Sequence, residues 1–317
     1  MNVALMGSVS SSYYCLDALI RGGVEITAVL GLDDSRAHVV SDFRSLRPVA
    51  EEAGLPFLSF VKVSEPEVEA FLTEGPPDLL WVIGLSQLVP DRLIRIARHG
   101  GVGFHPTLLP EGRGRAPVAW TILRGARAAV NLFYLTDEPD AGDIIVQREV
   151  PVLPNDYSED LIQRMNEVLT EVVLELAPLI RSGTLPRTPQ EHSQASFYPK
   201  RTPADGLIDW SETTDAIYRL VRAAGRPYPG AFSYWESRKV TIWRAEPVGS
   251  KGSSKGESDA PPGAVLEIEP AGRILVKTRD GALWLTETAF EDGPEPTFAT
   301  SVAVGDRLTS EPRGKES

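Results

Sequence analysis

His105 is the residue of this chain whose type and setting best suit acid–base chemistry. It is one of four histidines and follows a short apolar run, residues 101–104, which predicts a β-strand ending at the histidine. A rigid segment rich in glycine and proline, residues 106–117, comes next. Because doubly wound sheets bind ligands at the carboxyl ends of their strands, His105 is a candidate acid or base near neutral pH. The alternative is a purely structural histidine.

A second candidate is the acidic turn, defined here as residues 137–143. It carries four carboxylates in seven residues, and Pro139 and Gly142 shape it between two apolar runs that predict strands. If its strand lies beside that of His105, Asp140 can hold a protonated imidazole. The alternative is a solvated surface turn.

Other common catalytic signatures are absent from the sequence. The segment after the first predicted strand, residues 7–12, lacks the three glycines of a dinucleotide-binding turn. Neither a Walker-type lysine loop nor a Gly-x-Ser-x-Gly elbow is present. His105 with Asp140 and Asp143 lacks a second histidine at ligand spacing, so we expect no catalytic metal. Cys15, the single cysteine, allows no internal disulfide and fits a cytoplasmic protein.

The elements that must position these residues predict an α/β protein with two domains. Short β-like runs alternate with amphipathic helical runs through residues 1–183, a pattern typical of a doubly wound, mostly parallel sheet, and residues 160–181 predict its last helix. Residues 184–205, whose first part holds three prolines, predict a linker. Short strands within residues 206–310 predict a small barrel or sandwich. Residues 249–263 predict a mobile surface loop without chemistry.

Composition limits the partners of the protein. The net charge is −12, which repels polyanions such as nucleic acid and anionic lipid. The longest apolar stretches are far shorter than the roughly 20 residues that span a bilayer, and no signal peptide precedes the first predicted strand. Nothing in the sequence indicates the oligomeric state.

Two sequence segments resemble the 10-formyltetrahydrofolate-dependent formyltransferases. They are His105-Pro-Thr-Leu-Leu-Pro, continued by Arg113-Gly-Arg-Ala-Pro117, and Asp140-Ala-Gly-Asp143. The second half resembles the two-domain members, methionyl-tRNA formyltransferase and the UDP-aminoarabinose formyltransferase, at residues 197–200, 206–210, 220–223, 228–232 and 240–244. The resemblance implies a Rossmann-like formyl-transfer domain, an OB-like open β-barrel domain and 10-formyltetrahydrofolate as co-substrate.

The resemblance also implies catalytic roles. His105 would stabilise the oxyanion or manage protons, and Asp140 would orient His105 and promote proton loss from the amine. The family has an asparagine two residues before the histidine, where this chain has Gly103. Asn131, at a position where the family usually has threonine, is a candidate replacement for that donor. Its alternative role is to satisfy backbone groups at a strand end.

Ligand contacts follow from the resemblance in the same way. The predicted pterin-binding residues are Ser86, Gln87, Leu88, Val89, Asp137 and Glu138; helix capping and packing are their alternative. Arg113 and Arg115 are candidates for a phosphate or carboxylate of the substrate, with solvated surface roles as the alternative.

The acceptor amine is expected to be a small molecule. The segment after the second predicted strand, residues 32–43, is not the basic loop with which initiator-tRNA enzymes hold their substrate. With the net charge of −12, this favours a nucleotide-linked aminosugar or an amino-acid-derived metabolite. Methionyl-tRNA formylation is the first alternative. A folate-binding protein with impaired catalysis, suggested by Gly103, is the second.

Overall fold

The computed structural model describes residues 1–248, 259–291, 293 and 297–312. The chain forms two units. The first comprises Met1–Thr121, Arg127–Val152 and Asp160–Lys200, and the second comprises Ile122–Ala126, Leu153–Glu159 and the chain from Arg201 onward. Residues 184–200 of the predicted linker thus pack with the first unit, while the domain boundaries at 183 and 206 stay a prediction. Most of the predicted mobile loop, residues 249–258, lies outside the described residues.

A seven-stranded sheet forms the centre of the first unit. The strands of this unit are β1 (Val3–Gly7), β2 (Ile26–Leu32), β3 (Phe57–Phe60), β4 (Leu79–Ile83), β5 (Gly101–His105), β6 (Arg113–Gly114), β7 (Ala128–Tyr134), β8 (Ile144–Val150) and β9 (Phe197–Tyr198). The sheet order is β3-β2-β1-β4-β5-β7-β8, and β6 pairs with β9 separately. Strands β1 to β5 run parallel, whereas β7 and β8 are antiparallel to their neighbours. The predicted doubly wound, mostly parallel sheet is confirmed.

Helices supply the connections of this sheet. They are α1 (Ser10–Arg21), α2 (Arg47–Glu52), α3 (Pro66–Glu74), α4 (Asp91–Ile94), α5 (Pro117–Arg124) and α6 (Ser158–Ser182), with 3₁₀ turns at Asp34–Val39 and His192–Gln194. The helix predicted over residues 160–181 is confirmed within α6. Among the described residues, no helix is both long and apolar enough to cross a membrane.

The second unit is built on a curled antiparallel sheet. Its strands are β10 (Ala231–Trp235), β11 (Arg238–Pro247), β12 (Val265–Ile268), β13 (Ile274–Lys277), β14 (Ala282–Phe290) and β15 (Leu308–Thr309); α7 (Thr214–Ala224), α8 (Phe298–Ser301) and a 3₁₀ turn (Pro203–Gly206) accompany them. The order is β12-β13-β14-β11-β10-β15. Strands β12 and β15 lie at opposite edges of this sheet. A bridge between Ala264, just before β12, and Arg307, just before β15, connects the two edges, so the sheet curls into a half-barrel. The predicted open barrel is confirmed.

Trp81 is the largest fully buried side chain of the first sheet. This residue lies on β4 opposite Leu5 of β1 and Val102 of β5, and it is fully buried. Its indole N–H finds no acceptor among the described residues. The central strands therefore depend on packing of this ring rather than on its hydrogen bond.

Trp81→Ala is expected to lower the free energy of unfolding by about 3–5 kcal/mol, because it leaves a large cavity between β1 and β5. Trp81→Phe should cost clearly less, since it keeps an aromatic ring and removes a buried donor without a partner. Urea denaturation of both variants measures the difference. Equal losses for the two would contradict the packing account, because the phenyl ring would then add no stability over alanine.

Candidate active site

His105 stands at the carboxyl end of β5 and is only 5% exposed. Its Nε2 lies 2.9 Å from the carbonyl oxygen of Gly112. Because a carbonyl can only accept a hydrogen bond, Nε2 carries the hydrogen in the neutral ring. The other ring nitrogen, Nδ1, is left to accept or donate and lies 3.6 Å from Oδ1 of Asp140.

Asp140 reaches His105 from the acidic turn between β7 and β8. Its backbone is left-handed, with φ of 57°, and the Gly114 amide donates to its Oδ2 at 2.9 Å. The other carboxylate oxygen is the one that faces His105. The structure thus brings together two predicted catalytic residues that lie far apart in the sequence.

Asn131 is directly opposite His105, on β7. Its carboxamide nitrogen donates to the carbonyls of His105, at 2.8 Å, and Thr107, while its oxygen accepts from Gln147 Nε2 at 2.7 Å. Both amide hydrogens are therefore committed to the main chain. In this structure Asn131 therefore holds the end of β5 in place, and its role as an oxyanion donor stays a prediction.

Gly103 leaves a space that neighbouring side chains fill. A Cβ atom at this position would lie 2.8 Å from both Leu135 Cδ2 and Phe133 Cζ. The backbone is not left-handed here, so packing rather than conformation opposes a side chain. Positions 103 and 105 share a face of β5, because residues i and i+2 of a strand point to the same side. Phe133 and Leu135 therefore fill the space next to His105 that a side chain at position 103 would occupy.

A cavity of about 450 Å³ opens beside the acidic turn. Asp137 and Glu138, two of the predicted pterin-binding residues, line it, while His105 and Asp140 are not among its lining residues. The other lining residues are His99, Gly100, Gly101, Tyr134, Leu135, Thr136, Ala141, Gly142, Asp143, Arg187 and His192. Its volume falls within the range of small-molecule sites.

The other predicted pterin-binding residues follow β4. Gln87 is occupied, since its side chain accepts from the Val63 amide and donates to the Val61 carbonyl. Val89 packs into the core, whereas Leu88 is 85% exposed. These contacts tie the loop to the connection after β3 and leave Leu88 facing outward.

The two candidate arginines differ. Arg113 is 1% exposed, and its guanidinium donates to Glu138, Gln190 and His192. Arg113 is thus buried and bonded within the protein, and its predicted contact with a substrate anion stays a prediction. Arg115 is exposed and donates to the Ser86 carbonyl at 3.4 Å.

Sequence reasoning missed two residues near the pair, Gln190 and Ser196. Gln190 donates to the carbonyls of Asp140 and Gly142, and Ser196 accepts from the Gly112 amide. Both lie in the predicted linker, where three prolines and weak periodicity gave no signal of a site. No group of three or more potential metal ligands occurs in the described part of the chain.

Two family models match the chain. The model described as formyl transferase matches residues 1–176 of 317, more than half of the chain. The model described as formyl transferase, C-terminal domain, matches residues 200–301. The resemblance seen in the sequence motifs is confirmed.

Solved structures share this fold at low sequence identity. HypX from Aquifex aeolicus, in complex with tetrahydrofolic acid, has a TM-score of 0.66 at 21% identity over 91% of this chain and 44% of its own. An N-formyltransferase from Helicobacter canadensis, in complex with folinic acid and dTDP-3-aminofucose, has a TM-score of 0.62 at 15% identity over 90% and 98%. A sugar N-formyltransferase from a Shewanella species has a TM-score of 0.61 at 16% identity over 77% and 97%. The chain spans less than half the length of the HypX chain.

Gly103→Asn is expected to lower the free energy of unfolding by about 1–3 kcal/mol, because the new side chain would overlap Phe133 and Leu135. The same substitution should cost less in a Phe133→Ala background, where the ring has been removed. Gly75→Asn is the control, since nothing lies within 4 Å of a Cβ atom at Gly75. An equal cost in both backgrounds would contradict the packing account.

Asn131→Ala should lower the free energy of unfolding by about 1–3 kcal/mol for each buried group left without a partner. Thermal or urea denaturation measures this loss. If the variant were fully stable but lost formyl transfer, Asn131 would be a catalytic donor rather than a support for β5.

Proposed function

Because the chain belongs to the formyl transferase family, we propose that it transfers the formyl group of 10-formyltetrahydrofolate to the amino group of a small-molecule amine. The observation that carries this proposal is the approach of His105 Nδ1 to Asp140 Oδ1, 3.6 Å apart at the end of β5. A base and a carboxylate in this relation can accept and pass on the proton that an attacking amine must lose.

The bonding of the pair suggests a division of labour. Gly112 holds Nε2 of His105, so proton exchange takes place at Nδ1, on the side of Asp140. Asp140 promotes proton loss from the amine and stabilises the imidazolium that results. With its proton on Nδ1, His105 is also the donor that can stabilise negative charge developing on the formyl oxygen.

The folate is the source of the electrophilic formyl carbon: the amine nitrogen bonds to this carbon, the bond from the carbon to N10 of the folate breaks, and N10 takes up the proton that the amine passes to His105. We propose that the acidic turn, with Asp137 and Glu138, and the loop from Ser86 to Val89 hold its pterin ring. The cavity beside the acidic turn supports this, because its size suits a pterin and the lining offers backbone groups as well as carboxylates. Gln87 would contribute through its backbone, since its side chain is occupied.

A nucleotide-linked aminosugar or an amino-acid-derived metabolite is the proposed acceptor. The net charge is −12, and the segment after β2, residues 32–43, carries three aspartates and one arginine, so it is anionic at neutral pH. Hydrogen bonds from Ser35 and Ser59 also lower the pKa of one of these aspartates, Asp33, to about 2. This segment would repel the phosphates of tRNA. The Helicobacter canadensis structure, with dTDP-3-aminofucose bound, supports an aminosugar. Such metabolites occur in the cytoplasm, the compartment that we propose for this protein. Arg115 is the exposed candidate for a substrate anion.

One observation favours a second candidate function, folate binding with impaired catalysis. Phe133 and Leu135 fill the space at Gly103, and Asn131 is engaged by the main chain. Losing one oxyanion donor typically costs about 10²- to 10³-fold in rate. Such a protein would bind folate and transfer the formyl group slowly or not at all.

His105→Gln and Asp140→Asn are each expected to lower formyl transfer by about 10²-fold or more, because each removes one partner of the proton exchange. Both replacements nearly preserve side-chain volume, so thermal unfolding should change little. His38→Gln, on the exposed 3₁₀ turn after β2, is the control that should keep full activity. Full activity in either site variant would overturn the catalytic assignment.

Transfer of label from formyl-labelled 10-formyltetrahydrofolate to a panel of amines separates the candidate functions. Labelling of a nucleotide aminosugar or an amino-acid derivative is the expected result. Tight, steeply salt-dependent binding of charged initiator tRNA, together with its labelling, would support tRNA formylation instead. Tetrahydrofolate binding without transfer to any amine would favour the impaired folate binder.

A further inference from the structure

Gln190 lies behind the acidic turn and is 6% exposed. Its Nε2 donates to the carbonyl of Asp140 at 2.8 Å and to that of Gly142 at 2.7 Å. Its Oε1 accepts from Nη2 of Arg113 at 2.8 Å. The Gln190 side chain therefore donates twice to the acidic turn and accepts from the buried Arg113.

The acidic turn needs such support. Asp140 adopts a left-handed backbone, which is unfavourable for a residue other than glycine unless its surroundings fix it. A Cβ atom at Gly142 would lie only 1.7 Å from the Tyr134 carbonyl oxygen, so the turn is pressed against β7. The two bonds from Gln190 flank the peptide units that make this bend.

Ser196 has a matching relation to His105. Its Oγ accepts from the Gly112 amide at 2.9 Å, and the carbonyl of the same residue, Gly112, receives Nε2 of His105. The Ser196 carbonyl also accepts from the Arg113 amide at 2.9 Å. The Arg113 amide belongs to the same peptide unit as the Gly112 carbonyl, so the Ser196 carbonyl sets the orientation of the Gly112 carbonyl that receives Nε2 of His105. The Ser196 hydroxyl holds the preceding peptide unit through the Gly112 amide.

We propose that Gln190 and Ser196 are positioning residues for formyl transfer, one acting through the backbone of Asp140 and the other through Gly112. The proposal rests on the proposed function, since it assigns the two residues to the same His105–Asp140 pair. Gln190 reaches Asp140 through its main-chain carbonyl, and Ser196 reaches His105 through Gly112. They come from one short segment, residues 190–196, so this segment aligns both members of the pair against each other.

The kinetic test uses matched pairs of variants on this segment. Gln190→Ala and Ser196→Ala are each expected to lower kcat by about 10- to 100-fold with little change in KM, because a displacement on the order of 1 Å of a catalytic group has that effect. Gln194→Ala and Ser193→Ala are the controls. Both control residues are exposed, and the Ser193 hydroxyl donates only to Glu191.

Two conservative variants separate positioning from simple packing. Gln190→Glu keeps the size and the acceptor for Arg113 but loses both donors to the turn, so it should be as impaired in kcat as Gln190→Ala. Ser196→Thr keeps the hydroxyl and should retain activity. Wild-type kcat in Gln190→Glu, or equal impairment of Ser196→Thr and Ser196→Ala, would overturn the proposal.

Amide hydrogen exchange measured by NMR tests the positioning without any turnover. Gln190→Ala should speed exchange at Gly114, whose amide donates to Asp140, and Ser196→Ala should speed it at Gly112. Exchange at Leu5 in β1 should stay unchanged in both variants, because the sheet remains folded. Unchanged exchange at Gly112 and Gly114 would overturn the proposal.

Failure of the proposed function would give a different result. In that case the wild-type protein would transfer no label to any amine, although Gly114 exchange responded to Gln190→Ala. That outcome would show that Gln190 positions Asp140, but that this positioning does not serve formyl transfer.

Discussion

The meeting of Asp140 with His105 depends on a bend that an aspartate does not adopt by preference. The left-handed backbone of Asp140 and the close approach of Gly142 to β7 are maintained because the Gly114 amide and the Gln190 carboxamide bond to the same turn. The sheet brings β5 and β7 side by side, but this alone does not orient the carboxylate. The candidate site is therefore a property of four separate segments, around residues 105, 112–114, 137–143 and 190–196, which are joined mainly by hydrogen bonds between side chains and main-chain groups.

The face of the sheet beside His105 sets the chemical character of the site. Where a side chain at position 103 would point, the chain has Phe133 and Leu135, and the nearest carboxamide, Asn131, is bound to main-chain carbonyls. In the proposed function, His105 is the side chain of the pair that can meet charge on a reacting oxygen. An apolar surrounding strengthens the interaction between His105 and Asp140, because a low dielectric screens charges less than water does. Because Gly103 stands where the family has an asparagine donor, the proposed reaction depends more strongly on His105 and Asp140.

The fold and the closeness of His105 to Asp140 could be predicted from the sequence, since apolar runs such as residues 79–83 mark buried parallel strands and both residues follow such runs. The bonding of individual side chains could not. Asn131 donates to the carbonyls of His105 and Thr107, which come within reach only because β5 pairs with β7. Arg113 is buried because Gln190, distant in sequence, supplies an acceptor. Residues 184–200 resemble a linker because they contain three prolines. Their contacts with the acidic turn and with Gly112 are made to residues far away in the sequence, so local patterns do not show them.

A crystal structure of the protein with 5-formyltetrahydrofolate would test the central claim most directly, that His105 and Asp140 act on a folate-borne formyl group. The account predicts the pterin beside the acidic turn and the formyl group within about 4 Å of the His105 ring, close enough for Nδ1 to reach the reacting atoms. A folate bound elsewhere, or a formyl group more than about 6 Å from both residues, too far for a hydrogen bond, would contradict it.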